Sequence, residues 1–340
     1  MKYLRLIFYF SFIFTTSCFD FASLVKNVLL FESTTPSMIT SSDDGFIYRS
    51  FSNASRNGNI STKIERIDLN TGTASHILGS NSSVITNGIG LSARFKSITT
   101  LLFVPGSPRK LFVGDYCTIR EVNLSTLQVT TVAGDATCIS DTDGTGTAAK
   151  FTRVNGLAYS NNTLFIATNT QIKQMDMTTY VVTSFVGGST QGDVDDIGTN
   201  ARLNPISLTK LGDSLYLIDF NQKIKKISIA TGSVTTIAGD NTNPNDDSVD
   251  GVGTNATFQF QVNNAITTDN DKILFITEYS KVRKINTLTN EVTTILNSAN
   301  KLEDIDSDDL NTAKAYLPCG IQYTPQGLFI SNVYGLRRFR

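Results

Sequence analysis

The side chains best suited to ligand chemistry in this chain are carboxylates gathered in short polar loops. Asp141 and Asp143, Asp195 and Asp196, Asp246, Asp247 and Asp250, and Asp306 and Asp308 recur along 340 residues. Grouped carboxylates attract cations or basic partners. Asp141-Thr-Asp-Gly144 opens like a calcium-binding loop, but it lacks the later oxygen ligands and the closing Glu of such a site. Asp-Gly and Asn-Gly pairs also permit tight chain reversal by themselves, so the same residues read as solvated turns too. His76 is the single histidine, which removes acid–base work by His pairs and multi-His metal sites. The sequence shows no Ser-His-Asp spacing, phosphate loop or Cys-pair zinc pattern.

Charge and composition narrow the classes further. There are 29 basic against 30 acidic residues, a net charge of −1. A general nucleic-acid face would show a clustered basic excess, so nucleic acid is not an expected partner. An apolar fraction of 40% suffices for a core, and 21 Phe and 11 Tyr supply its large contacts in the absence of Trp.

The elements that position the carboxylate loops are repeats. Val129-Thr-Thr-Val-Ala-Gly134 returns as Val182-Thr-Ser-Phe-Val-Gly187 and Val234-Thr-Thr-Ile-Ala-Gly239. A loop-end aromatic or leucine recurs at Phe95, Phe151, Leu203, Phe258 and Tyr316, in steps of 56, 52, 55 and 58 residues. Each unit holds four short apolar-alternating runs divided by Gly, Asn, Asp or Thr turns, the signature of strands. Four strands cannot bury both faces alone, so the units must stack and close. The expected fold is all-β: a six-bladed β-propeller of four-stranded antiparallel blades. Blade one carries a polar insertion at Asn53–Asn59. Blade six ends at Leu336–Phe339 without a fourth strand, whereas Val25–Phe31 is spare at the other end. Since an open ring leaves a pairing-prone edge, Val25–Phe31 is expected to pair beside Leu336–Phe339 and close the ring. In such blades the second and fourth strands end on one face. The acidic linkers therefore crowd one rim, while Lys223, Lys225, Lys281 and Arg283 fall on third strands.

Leu-Phe-Val-Gly-Asp115, Thr-Ile-Arg-Glu-Val122, Val-Thr-Thr-Val-Ala-Gly134 and Asp-Gly-Thr-Gly-Thr-Ala-Ala-Lys-Phe151 together resemble the NHL-repeat propellers, over about residues 38–340. The resemblance implies a non-catalytic binding or scaffolding protein that recognises a protein or other ligand through the rim. Lyases and lactonases of related shape bring His and carboxylates to the central channel. The alternative is therefore a calcium-dependent hydrolase, lactonase or lyase, with Asn155 and Asn263 near inner-strand starts. No cofactor is expected; calcium is the metal this alternative would use.

At the N-terminus Lys2 and Arg5 precede Leu6–Phe14, apolar apart from Ser11, which suits a secretory h-region and is too short to span a bilayer. Ser17-Cys18 then resembles a bacterial lipobox, with Thr15 where Leu is usual. Residues 1–17 read as a signal peptide, Cys18 as the lipidated first mature residue, and 19–340 as the propeller. The expected setting is the bacterial envelope, with the chain monomeric and anchored to membrane by lipid, or secreted if Cys18 stays unmodified. Export favours disulfides. Cys117 falls in the turn after the second strand of blade two and Cys138 in the linker after its fourth. Both thiols emerge on one face, so a bridge is expected, with Cys319 left as a buried thiol.

Overall fold

The alternating runs form strands, and their turns pair each strand with the next. In the computed structural model the described residues are 29–32, 38–54, 60–80, 84–240, 248–297, 318–332 and 335–339. Their strands make six antiparallel sheets. Blade one is Ile39–Ser41, Phe46–Ala54, Ile60–Asp68 and Ala74–Leu78. Blade two is Ile98–Val104, Lys110–Asp115, Thr118–Asn123 and Gln128–Gly134. Blade three is Gly156–Ser160, Thr163–Ala167, Ile172–Asp176 and Val181–Val186. Blade four is Pro205–Leu211, Ser214–Asp219, Lys223–Ser228 and Val234–Ala238. Blade five is Ile266–Thr268, Ile273–Thr277, Lys281–Asn286 and Glu291–Asn297. Blade six has Gly320–Thr324, Gly327–Asn332 and Gly335–Phe339 from the C-terminal end.

The sixth blade takes its fourth strand from Leu29–Glu32, with Leu29 opposite Arg337 and Glu32 opposite Gly335. Ring closure through the N-terminal strand is therefore as expected, although Val25–Val28 lie outside the described residues. The innermost strands contact one another in sequence around the ring, and the strand of blade one meets that of blade six. Closure removes the open sheet edge. The polar insertion in blade one lengthens its middle hairpin rather than simply interrupting it. Both flanking strands run nine residues and stay in register from Phe46–Asp68 to Ala54–Ile60.

A feature the sequence reading did not anticipate lies outside the fourth strands. The linkers do not pass straight to the next inner strand. Gly88–Ile89, Gly144–Thr145 and Gly251–Val252 add a short fifth strand to the outer edge of the following blade. Ile197 makes a single bridge to Ser233 at the same place in blade four. One 3₁₀ turn follows each, as at Gly146–Ala148 and Gly198–Asn200. The chain then drops Phe95, Phe151, Leu203 or Phe258 into the core, each almost completely buried.

The glycine that ends a fourth strand is required by this close approach. Gly134 has φ +80°, and a Cβ there would lie 2.7 Å from the Phe151 ring and collide with the Cys117 carbonyl. Any L side chain would be strained in that conformation as well. The loop that Gly134 begins is tied back by the Cys117–Cys138 disulfide, with Cα atoms 5.5 Å apart, inside the range such bonds span. In the chain-entropy account a loop of this length contributes about 3 kcal/mol. Cys319 is buried in blade six, as expected, and burial pushes its thiol up to about 12.

Candidate functional site

Two places gather polar chemistry: the linker rim and the central channel. At the rim the carboxylates do not stand apart from the basic third strands. Asp143 Oδ1 lies 2.7 Å from Lys173 Nζ, and its Oδ2 accepts the Ser184 backbone N–H at 3.0 Å. Asp195 repeats this on Lys225 at 2.6 Å and on the Thr236 N–H at 2.6 Å. Asp250 repeats it on Arg283 at 2.8 Å and on the Thr294 N–H at 2.9 Å. In blade two Asn87 takes the place, accepting from Arg120 at 3.0 Å and from the Thr131 N–H at 2.9 Å.

Local chain geometry explains why this site recurs. Each fourth strand carries a bulge beside the cation, skipping Val132, Phe185, Ile237 or Ile295. Bulges bend a strand and re-aim its neighbours. Here the cation faces a Ser or Thr across the ladder, at Lys173–Ser184, Lys225–Thr236 and Arg283–Thr294. The linker carboxylate binds both. All four cations, Arg120, Lys173, Lys225 and Arg283, have side chains at 0% exposure. A buried charge must be paired, and stripping its partner costs about 3–5 kcal/mol. Asp143, Asp195 and Asp250 thus hold one blade's linker to the next blade's third strand while remaining exposed on the rim.

The arginine and lysine blades solve the pairing differently. Arg120 and Arg283 also donate to linker carbonyls, Thr86 and Arg94 in one case and Val249 and Thr257 in the other. Each also meets a carboxylate at the end of strand two, Asp115 at 3.1 Å and Glu278 at 2.5 Å. Lysine has a single donor group, and at Lys225 the linker supplies a second acid. Asp193 lies 2.8 Å from Lys225. Asp141 accepts from the Thr152 N–H at 2.9 Å and from Thr168 Oγ1 at 3.1 Å, which occupies the oxygens of the supposed calcium-loop start. Asp196 accepts from the N–H of Ile197 and is exposed. Cys18, Asp246, Asp247, Asp306 and Asp308 lie outside the described residues.

The channel is a cavity of about 860 Å³ lined by the innermost strands of all six blades. Ser, Thr, Asn and Gln share the lining there with Leu and Ile. Asp43 is the only carboxylate among the described lining residues, and Arg109 Nε holds it at 3.0 Å. Two cations also line the cavity, Arg153 and Lys210. Neither stood out in the sequence, yet Arg153 occupies the second place after Phe151, where blades two and four have Ser97 and Pro205. Aligning the repeats would have exposed that departure. Asn155 donates to the carbonyls of Thr168 and Pro205 and to Asn169 Oδ1, so its amide joins two blades. Asn263 is exposed at the cavity. His76 sits in the outer strand of blade one, its Nε2 2.9 Å from the Leu78 carbonyl, and is not a lining residue. Among the described residues no three His, Cys, Asp or Glu side chains converge to hold a metal.

The carboxyl pKa values divide along the same lines. Burial works to raise the Asp143, Asp195 and Asp250 carboxyls. Their cations and Ser or Thr donors outweigh it and hold all three below the ordinary value. The hydrogen bond from Lys150, with help from Thr137, takes Asp135 down to about 2. Burial prevails at Asp115, Asp219 and Glu278, which are raised. A lowered folded pKa contributes stability above the unfolded value of about 3.9 and loses it as pH falls through the folded value. The raised groups act in the opposite sense. A triple variant Asp143→Asn, Asp195→Asn, Asp250→Asn keeps the shape that Asn87 has in blade two. Its melting temperature should fall below that of the parent at pH 7, and the gap should close between about pH 4 and pH 2. Thermal melts across that range check this; a gap constant with pH would contradict it.

No protein-family model matches the chain, and no curated protein matches it. Solved structures do. A Bacteroides thetaiotaomicron protein of unknown function superposes with a TM-score of 0.66 at 15% identity, covering 92% of this chain and 74% of that one. An auxiliary nutrient binding protein from Bacteroides ovatus gives 0.60 at 14% identity, covering 91% and 69%. The extracellular domain of a putative hybrid two component system from B. thetaiotaomicron gives 0.52 at 13%, covering 90% of this chain and 40% of that one. At these identities the likeness is one of fold: the chain is a six-bladed β-propeller similar to these bacterial proteins.

Proposed function

We propose that this protein is a non-catalytic binding protein of the bacterial cell envelope, of the NHL-like propeller type, whose ligand seat is the central channel. The observation that carries this is the channel itself: about 860 Å³, lined from six blades by hydroxyl and amide groups. Ligand sites are concave, mostly preformed and of this size. The described lining holds no acid–base pair of the kind a hydrolase or lyase uses. The rim is the weaker seat, because Asp143, Asp195 and Asp250 already bind internal cations. The nutrient-binding name of one structural neighbour is in keeping with a binding use of this architecture.

The test is to fill the channel. Thr209 lines it from blade four and is half-buried, so Thr209→Trp adds bulk there without removing a core group. Native mass spectrometry after incubation with a polar envelope extract should show small molecules on the parent chain and their loss from the variant, at similar melting temperature. Retention by the variant would contradict the channel as the seat.

Anchoring at Cys18 is part of the same reading, motivated by the charged start, the short apolar run and Ser17-Cys18. Fatty-acid labelling in bacteria should be present in the parent and absent in Cys18→Ala. Equal labelling of both would remove the anchor from the account.

A further inference from the structure

We infer that the channel selects a small, hydroxyl-rich anion, with the Arg153 guanidinium fixing its carboxylate; this rests on the channel being the ligand seat. Arg153 is half-buried at the start of the innermost run of blade three and lines the cavity. Its Nε is buried without a hydrogen-bond partner. Among the described residues it makes no ion pair, unlike Arg120 and Arg283, which bind carboxylates and carbonyls at their own sites. The same Nε is unpartnered in Arg120 and Arg283, so what sets Arg153 apart is a guanidinium at the cavity that, among the described residues, has no carboxylate on it. Its planar fork matches a carboxylate or phosphate with two parallel bonds.

The surroundings set the rest of the ligand. Lys210 adds a second cation to the lining, and Asp43, the sole lining carboxylate among the described residues, is matched by Arg109 at 3.0 Å. The cavity is therefore positive in net charge, which concentrates anions. The same cavity is lined by Thr100, Ser207 and Thr209 and by Leu157 and Ile321. Hydroxyls that both donate and accept, set among apolar patches, suit the hydroxyl rims and C–H faces of a sugar ring. A sugar acid combines all of these groups.

The test is calorimetric titration of the full chain with trigalacturonate, maltotriose and inorganic phosphate. Trigalacturonate should bind, with affinity about tenfold or more weaker in Arg153→Gln and an intermediate loss in Arg153→Lys, both at unchanged melting temperature. Maltotriose should bind more weakly than trigalacturonate and be indifferent to Arg153→Gln. Phosphate binding as tightly as trigalacturonate would overturn the need for hydroxyls. Maltotriose and trigalacturonate binding alike, with Arg153→Gln silent and Thr209→Trp abolishing both, would overturn the anion preference and leave the channel as the seat. Trigalacturonate binding that survives Thr209→Trp would instead place the ligand elsewhere and defeat the channel reading. No binding by any of the three would overturn the proposal.

Discussion

A buried cation on a third strand, matched by an acid or amide from the preceding linker, is the constraint on which the inter-blade joints depend. Lys173 and Lys225 are fully buried, and the groups that neutralise them belong to chain some 30 residues earlier. A desolvated ammonium is tolerable only if paired. The linker must therefore run outward, cross the edge of the next blade, leave its carboxylate on the cation and then return. That path accounts for the added fifth strands, the 3₁₀ turns and the aromatic or leucine driven between blades. It also blunts blade edges that would otherwise expose unpaired backbone groups.

The joint is built in alternative ways without loss of its logic. Arginine blades place Phe95 or Phe258 under the guanidinium, at 5.4 and 5.3 Å, a stacking contact that lysine makes less well. At Lys225 the linker adds a second acid, Asp193. Blade one departs altogether: Glu65 stands where the cation would be, faces His76 across the ladder and pairs with Arg49 at 2.6 Å. This is the blade next to the N-terminal closure. Among the described residues, Arg153 and Lys210 line the channel without an ion pair.

Much of this was legible in the residues. The repeat of Val-Thr-Thr-Val-Ala-Gly134, the step between Phe95 and Phe151, and the missing strand after Phe339 are local or periodic signals, and they led to the blades and to closure by the N-terminal strand. The Cys117–Cys138 bridge followed from which strand ends share a face. The pairing of Asp143 with Lys173 was not read, because its partners lie on different elements and only the fifth strand brings them together. Acids on linkers and bases on third strands looked like separate surfaces when they are two halves of one contact. Arg153 was missed for another reason. It belongs to no motif and shows itself only as a break in the repeat.

The contact between Lys173 and Asp143 is the cleanest place to test whether linker acids are internal partners, because Asp143 is the one carboxylate on Lys173 among the described residues. A double-mutant cycle with Lys173→Met, Asp143→Asn and the pair, followed by denaturant unfolding, measures their coupling. The account predicts a favourable coupling of about 1 kcal/mol or more, with Lys173→Met recovering part of the loss caused by Asp143→Asn. Additive losses, with a coupling below about 0.3 kcal/mol, would show that Asp143 simply faces water.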